Sequence, residues 1–263
     1  MWVYDVNLPF MKITFLGTGT SQGIPMIASN DPVCLSTNLK DKRLRSSIMV
    51  SWNSYNYIVD CGPDFRTQML RENVQGINGI LFTHEHADHT AGFDDVRPFG
   101  YKMGEVPIYV DQSTLISLQK RFEYIFTTEN RYPGAPKVVV NLIDGASFEL
   151  DGVEVTPIEV MHGKLPVTCY RFNDFAYLTD VKTISDKEKY KLKGIKTLVV
   201  NALRIDAHPT HLNLQEALDF VKEINPEKAY FSHISHKLGF HDAVEKQLPE
   251  NVFLAYDGLK IEM

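Results

Sequence analysis

The stretch Thr83-His84-Glu85-His86-Ala87-Asp88-His89 directly follows a short apolar run and contains three of the nine histidines of the chain. Imidazole and carboxylate are ligands for borderline and hard divalent ions. A chain that turns after a strand can direct His84 and His86 to one ion, and Asp88 and His89 to another. The spacing therefore predicts a metal site, and a metal-free polar loop that is rich in histidine is the alternative interpretation.

Two ions need more ligands than four side chains supply, and the chain offers further ones where other β-rich runs stop. His162, Asp180 and His233 each follow such a run. Side chains at strand ends meet along one edge of a sheet, where open sites are commonly assembled. Imidazole favours zinc, and the two carboxylates also suit manganese. We therefore predict two divalent metal ions per chain, zinc or manganese.

Around these residues the sequence alternates β-rich and helical runs. Examples are Tyr55–Val59, Phe175–Leu178 and Thr197–Asn201 for strands, and Gln112–Phe126 and Asn213–Ile224 for helices. So many strands exceed one small sheet, and two stacked sheets with helices outside are the economical packing. We predict an α/β fold in a single domain spanning residues 1–263, with residues 1–10 as a non-essential extension before a second start at Met11.

The composition excludes several classes of protein. With 44% hydrophobic and 23% charged residues, the chain is globular. It has neither an apolar run long enough for a membrane span nor the features of a signal peptide. Three cysteines are too few for a disulfide framework, so we expect a cytoplasmic protein. A net charge of −6 argues against a nucleic-acid partner, since such proteins grip the polyanion with a basic surface.

The His-x-His-x-Asp-His stretch, the later His162, Asp180 and His233, and the turn Asp60-Cys61-Gly62 resemble the metallo-β-lactamase superfamily. Within it, the chain is most similar to the phosphoribosyl cyclic-phosphate phosphodiesterase branch of the carbon–phosphorus lyase pathway. The local resemblances are Leu16-Gly17-Thr18-Gly19-Thr20, His162-Gly163-Lys164-Leu165, Ser232-His233-Ile234-Ser235-His236 and Tyr256-Asp257-Gly258-Leu259-Lys260-Ile261. The resemblance implies an αββα four-layer sandwich, in which two mixed β-sheets carry helices on their outer faces and the site lies at one edge.

The resemblance also implies how the ligands are divided between two ions. The first ion takes His84, His86 and His162, the second takes Asp88, His89 and His233, and Asp180 bridges both. Two cations that share a hydroxide lower its pKa and clamp the attacking and leaving oxygens of a phosphoryl displacement. We therefore expect a dinuclear metal-dependent hydrolase, a phosphodiesterase in which that hydroxide attacks a small, cyclic or linear, phosphodiester.

A catalytic role for His211 follows from the same resemblance. In the resembled phosphodiesterases, and in related transfer-RNA 3′-processing nucleases, a histidine at this offset before a helix binds phosphate or protonates the leaving group. The positive end of the helix that follows His211 favours a phosphate oxygen there, and a helix-capping or surface histidine is the alternative. Asp88 is the second predicted catalytic residue. Lys164 and Arg204 are candidate substrate-binding residues or else ordinary salt-bridge partners.

The resembled branch holds a separate structural zinc with a Cys-x-Cys-x-x-Cys loop and a late histidine. Here Ser29 and Asp31 stand where two of those cysteines would be, while Cys34 and His236 are retained. Asp31, Cys34 and His236 are thus the candidate ligands of a third metal site. Because serine is a poor zinc ligand, we expect hydrogen bonds to hold this loop instead.

Three other functions stay open from the sequence. They are transfer-RNA 3′ processing, hydrolysis of a lactone, lactam or thioester, and metal binding without catalysis. The expected partner is a small-molecule phosphoester substrate, without membrane attachment, and a homodimer is left open.

Overall fold

The computed structural model describes residues 10–263, so the predicted extension lies, but for its last residue, outside the described part. The described strands are β1 (Met11–Gly17), β2 (Ser47–Trp52), β3 (Tyr55–Val59), β4 (Gly79–Leu81), β5 (Val106–Val110), β6 (Val138–Leu142), β7 (Phe148–Leu150), β8 (Val153–His162), β9 (Leu165–Phe172), β10 (Phe175–Leu178), β11 (Thr197–Asn201), β12 (Lys228–Ser232), β13 (Val252–Leu254) and β14 (Lys260–Glu262).

Most helices are short. They are α1 (Pro32–Leu35), α2 (Phe65–Arg71), α3 (Ala87–Thr90), α4 (Arg97–Met103), α5 (Gln112–Arg121), α6 (Glu123–Phe126), α7 (Asp186–Tyr190), α8 (Leu214–Ile224) and α9 (His241–Glu245). The prediction of a single helix over Gln112–Phe126 is wrong, because the chain leaves helical geometry at Phe122, where φ is −125° and ψ is 43°. Within residues 10–263, no helix has the length and apolar character that crossing a membrane requires.

The strands form two sheets of seven strands each, in the spatial orders β14-β1-β2-β3-β4-β5-β6 and β13-β12-β11-β10-β9-β8-β7. Both sheets are mixed. Strands β3 to β6 run parallel in the first sheet, and β10 to β13 run parallel in the second. The remaining neighbours pair antiparallel. The predicted sandwich of two mixed sheets with outer helices is confirmed.

The core has three layers because the sheets are buried on both faces. Phe15 of the first sheet and Tyr170 of the second lie in the apolar layer between the sheets. On β11, Val199 belongs to this central layer, while Leu198 and Val200 pack in the layer that includes residues of α8. Successive strand side chains point to opposite faces, so a strand covered on both sides has the continuous apolar run that the sequence shows.

A buried guanidinium connects the ends of strands from the two sheets. Arg43 is 3% exposed and donates to Thr18 Oγ1 (2.7 Å), to the carbonyl of Ala255 (2.5 Å) and to His241 Nδ1 (3.0 Å). Thr18 follows β1, whereas Ala255 follows β13. Since a guanidinium has only donors, Nδ1 of His241 must be unprotonated. Burial, and then the charge of Arg43, lowers the pKa of His241 to about 4.

We expect this histidine to make the fold sensitive to acid. The unfolded chain takes up a proton at His241 near pH 6.5, whereas the folded chain resists it until about pH 4, so stability falls as the pH drops between these values. The loss should be about 1–2 kcal/mol after solvent screening. The amide oxygen of the H241N variant can accept from Arg43 but takes up no proton. Between pH 7 and pH 4.5, this variant should therefore lose about 1–2 kcal/mol less stability than the wild type, as measured by urea unfolding. Equal losses in the two proteins would contradict the prediction.

Candidate metal centre

The histidine stretch begins where β4 ends, and hydrogen bonds fix the first of its rings. His84 is fully buried, and its Nδ1 lies 3.0 Å from Thr83 Oγ1, which itself donates to Asp60 Oδ2 at 2.8 Å. Thr83 Oγ1 therefore accepts from His84, which leaves a lone pair on His84 Nε2. That nitrogen has no hydrogen-bond partner among residues 10–263. Burial lowers the pKa of His84 well below its ordinary value, so the ring is neutral, as a metal ligand must be.

Asp60 organises two histidines at once. It follows β3 with φ +66°, and its carboxylate accepts from the backbone N–H of Thr83 (2.8 Å), from Thr83 Oγ1 and from His89 Nδ1 (2.6 Å). Such outer partners orient ligating histidines and fix their tautomers. Asp60 was not among the functional residues predicted from the sequence. The signal that could have shown it is a carboxylate at the end of a buried strand beside the histidine loop.

His162 enters the same region from the other sheet. It ends β8, and its Nδ1 donates to the carbonyl of Thr210 at 2.8 Å, so Nε2 is the free ligand atom. The ring centroids of His84 and His86 lie 4.6 Å apart, and those of His86 and His162 lie 5.3 Å apart. The structure therefore brings together the three rings that were predicted to share the first ion.

Asp180 lies among the remaining predicted ligands. It follows β10, while His233 follows β12. Asp180 Oδ2 is 3.2 Å from His89 Nε2 and 3.3 Å from His233 Nδ1. Three sets have ligand atoms within 4.8 Å of one another: His84 with His89 and Asp180, Asp88 with His89 and His233, and His162 with Asp180 and His211.

The charges of this cluster suit a divalent cation. Burial opposes a charge on His89, but three neighbouring carboxylates outweigh it and raise the pKa of the ring well above its ordinary value. Those carboxylates belong to Asp60, Asp88 and Asp180. His89 Nε2 is 3.2 Å from both Asp88 Oδ2 and Asp180 Oδ2, yet it has no well-aligned hydrogen bond within residues 10–263. Imidazole and carboxylate donors around a negative centre fit zinc or manganese.

His211 packs against the rings of two predicted metal ligands, His162 and His233. It is 8% exposed, and its ring centroid is 4.4 Å from that of His162 and 4.9 Å from that of His233. Its Nδ1 lies 3.7 Å from Asp180 Oδ1 and has no hydrogen-bond partner in the described part of the chain. Burial, and then His233, lowers the pKa of His211 to about 2. The ring is therefore neutral, with one N–H to donate.

The first turn of α8 is capped by the chain's own side chains, which compete with a phosphate for its N–H groups. The Asn213 side chain accepts from the N–H of Glu216, and the Glu216 carboxylate accepts from the N–H of Asn213 and from Lys182 Nζ. This capping box satisfies helix donors with the chain's own carboxylate. The His211 ring offers a nitrogen that this capping box does not occupy.

The candidate third site is not assembled. The carboxylate of Asp31 accepts from the N–H of Val33 at 2.9 Å and so caps α1, and Cys34 Sγ accepts from the N–H of Met26 at 3.5 Å. Among residues 10–263, Asp31, Cys34 and His236 do not form a set of ligand atoms within 4.8 Å. Hydrogen bonds hold this loop.

Lys164 and Arg204, the two candidate substrate-binding residues, differ from each other in their surroundings. Lys164 is exposed in the turn between β8 and β9. Arg204 donates to the carbonyls of Asp206 (3.1 Å) and Ala207 (2.6 Å), so its guanidinium stabilises its own loop.

Comparisons with known proteins agree with this geometry. A family model described as the beta-lactamase superfamily domain matches residues 55–234. The crystal structure of a diphosphatase from the PhnP family superposes with a TM-score of 0.90 at 38% identity, over 97% of each chain. An octanoyltransferase of Porphyromonas gingivalis is 34% identical over 253 residues, which are 95% of this chain and 51% of that protein. A ribonuclease Z of Borrelia garinii is 21% identical over 84% of this chain and 92% of its own. The chain thus spans about half the length of the first curated relatives it matches.

Proposed function

The chain belongs to the beta-lactamase superfamily, a superfamily of metallo-hydrolases, and from that premise we propose that it hydrolyses a small phosphorus ester. The phosphorus of this substrate is joined through two bridging oxygens, as in a cyclic or linear phosphodiester and in a substituted diphosphate. The observation that carries the proposal is the buried, unpartnered Nδ1 of His211, 3.7 Å from Asp180 within residues 10–263. The 38% identical diphosphatase supports the diphosphate form of the substrate.

We assign two divalent ions, zinc or manganese, to the ligands as the resemblance divides them. His84, His86 and His162 would hold the first, Asp88, His89 and His233 the second, and Asp180 both. When bound, the ions would supply activation of water and neutralisation of the phosphate charge.

The chain's own residues orient the ligands and handle protons. Asp60 holds the N–H of His89, and Thr210 holds that of His162, so the opposite nitrogen of each ring faces the site. We assign to Asp88, whose side chain is 13% exposed, the role of accepting a proton from the attacking water.

His211 donates its N–H to a phosphate oxygen or gives a proton to the leaving oxygen. Its low pKa in the free protein means that the negative charge of the substrate must raise its proton affinity before it acts as an acid.

Activity with a panel of compounds tests the proposal. Metal-stripped protein would be assayed with zinc or manganese on a cyclic ribose phosphate, a cyclic nucleotide, a linear diester, a dinucleoside diphosphate, a lactone and a thioester. We expect metal-dependent hydrolysis of at least one of the four phosphorus compounds, abolished by a chelator. Turnover of the lactone or thioester alone would contradict the proposal, as would no turnover at all in protein that retains its metal.

A further inference from the structure

A further histidine, His208, lies on the loop that ends at His211, and its tautomer is set by the backbone. Its Nδ1 accepts from the N–H of Thr210 at 3.3 Å and lies 3.3 Å from Thr210 Oγ1. A neutral imidazole that accepts at Nδ1 carries its proton on Nε2. Nε2 makes no hydrogen bond to the side chains and backbone of residues 10–263, so a donor is free at the partly exposed end of the ring.

The ring of His208 continues a row that starts at the predicted ligands. Its centroid is 5.1 Å from that of His211, which in turn is 4.9 Å from that of His233. Thr210 fixes this arrangement, because its carbonyl accepts from His162 while its N–H donates to His208. Thr210 therefore holds the ring of His208 in a fixed position relative to the predicted ligand cluster.

Lys182 and Arg204, two cations near His208, hold acceptors of their own, whereas Nε2 of His208 holds none among residues 10–263. Burial, and then the charges of Arg204 and other neighbours that include Lys182, lowers the pKa of His208. Lys182 binds Glu216 at 2.7 Å, and Arg204 binds carbonyls of its own loop. A neutral donor beside these cations favours an anionic acceptor.

We propose that His208 binds the second phosphoryl group of a substituted diphosphate whose first phosphoryl group lies at His211. This inference rests on the proposed function. The two phosphoryl groups of a diphosphate share one bridging oxygen, so they need two donors on neighbouring rings, as His211 and His208 supply. A phosphodiester has no second phosphoryl group, and His208 therefore selects between the two forms of the proposed substrate.

Two substrates with different numbers of phosphoryl groups test this role. They are a dinucleoside 5′,5′-diphosphate and a nucleoside 5′-monophosphate nitrophenyl ester, assayed with metal-loaded wild type, H208A, H208Q and I205A. Ile205 is 53% exposed on the same loop and serves as the matched control. A hydrogen bond to a charged group corresponds to about a 10- to 100-fold effect. We expect H208A to lower kcat/KM for the diphosphate by about that factor and for the nitrophenyl ester less than about threefold.

The glutamine variant, which keeps an N–H donor, should recover part of the loss, and I205A should resemble the wild type. Metal content per chain should be unchanged in H208A. Equal losses on both substrates, or loss of metal, would overturn the inference and indicate a structural role through Thr210. No loss on either substrate would also overturn it. A wild type that cleaves the ester but not the diphosphate overturns this inference alone, whereas one that cleaves no phosphorus compound overturns the proposed function.

Discussion

Replacing His211 with alanine is expected to lower kcat/KM for an alkyl phosphodiester by about 10²–10⁴-fold and for a bis-nitrophenyl ester by about tenfold or less. An alkoxide is a poor leaving group and needs a proton, whereas nitrophenolate leaves without one. His211 is placed for this task, because its ring contacts those of His162 and His233 and its Nδ1 is unpartnered within the described residues. Steady-state kinetics of the two substrates with saturating metal measure the ratio.

Two further variants separate proton donation from phosphate binding. H211Q retains an N–H donor but is no acid, so it should recover the nitrophenyl ester reaction and not the alkyl one. H241N removes an imidazole that contacts Arg43 instead of the ligands, and it should leave both reactions unchanged. Equal losses on the two esters in H211A would exclude the acid role and leave His211 as a phosphate-binding residue.

The second large effect is expected for D60N, which should lower metal affinity by about 10- to 100-fold. The fully buried Asp60 carboxylate accepts from the N–H of His89 at 2.6 Å and from Thr83 Oγ1 at 2.8 Å. The carboxylate also accepts from the backbone N–H of Thr83 at 2.8 Å, so in either orientation an asparagine amide turns its N–H₂ group toward a donor. With that group toward His89, the ring must carry its proton on Nε2, the nitrogen that faces Asp88 and Asp180. With that group toward Thr83, the hydrogen bond that holds the start of the histidine stretch is lost. Competition with a chromophoric chelator measures the affinity.

Ser47 provides the control for D60N. Its hydroxyl donates to the backbone carbonyl of Asp60 at 2.8 Å and is also buried, but it does not touch the carboxylate. S47A should therefore keep the affinity of the wild type within about threefold, even if it loses some stability. Wild-type affinity in D60N, or an equal decrease in S47A, would show that the tautomer of His89 does not depend on this carboxylate.

Much of the fold could be predicted from local patterns. The bounds of Tyr55–Val59, Phe175–Leu178 and Thr197–Asn201 agree with the structure, because these strands are buried and end at turns that interrupt the apolar run. Helix α8 begins at Leu214 with Asn213 as its cap, as the cap residue indicated. The histidine stretch likewise predicted the candidate metal centre from a local pattern, since histidine and aspartate have few other uses at such density.

Other features depend on contacts that a local pattern does not contain. Phe122, where the predicted long helix is interrupted, packs its ring edge-on against that of Phe93, with the ring centroids 5.6 Å apart. Strand β14 is only three residues long and exists through its pairing with β1. Helix α4 contains Gly100, which is a poor helix former in a helix interior. The partners of Asp60 and His208 likewise come from the folded arrangement of loops.

The loops that carry the predicted metal ligands come from both sheets, with His84 after β4 and His233 after β12. Any compound that binds among them is held by both halves of the sandwich, and its binding free energy adds to the cost of melting the domain. At one hundred times its dissociation constant, such a compound contributes about 2.7 kcal/mol. For a chain of this size, that raises the melting temperature by roughly 5–10 °C. Calorimetric screening of metals and phosphate compounds can thus rank ligands without any knowledge of the reaction.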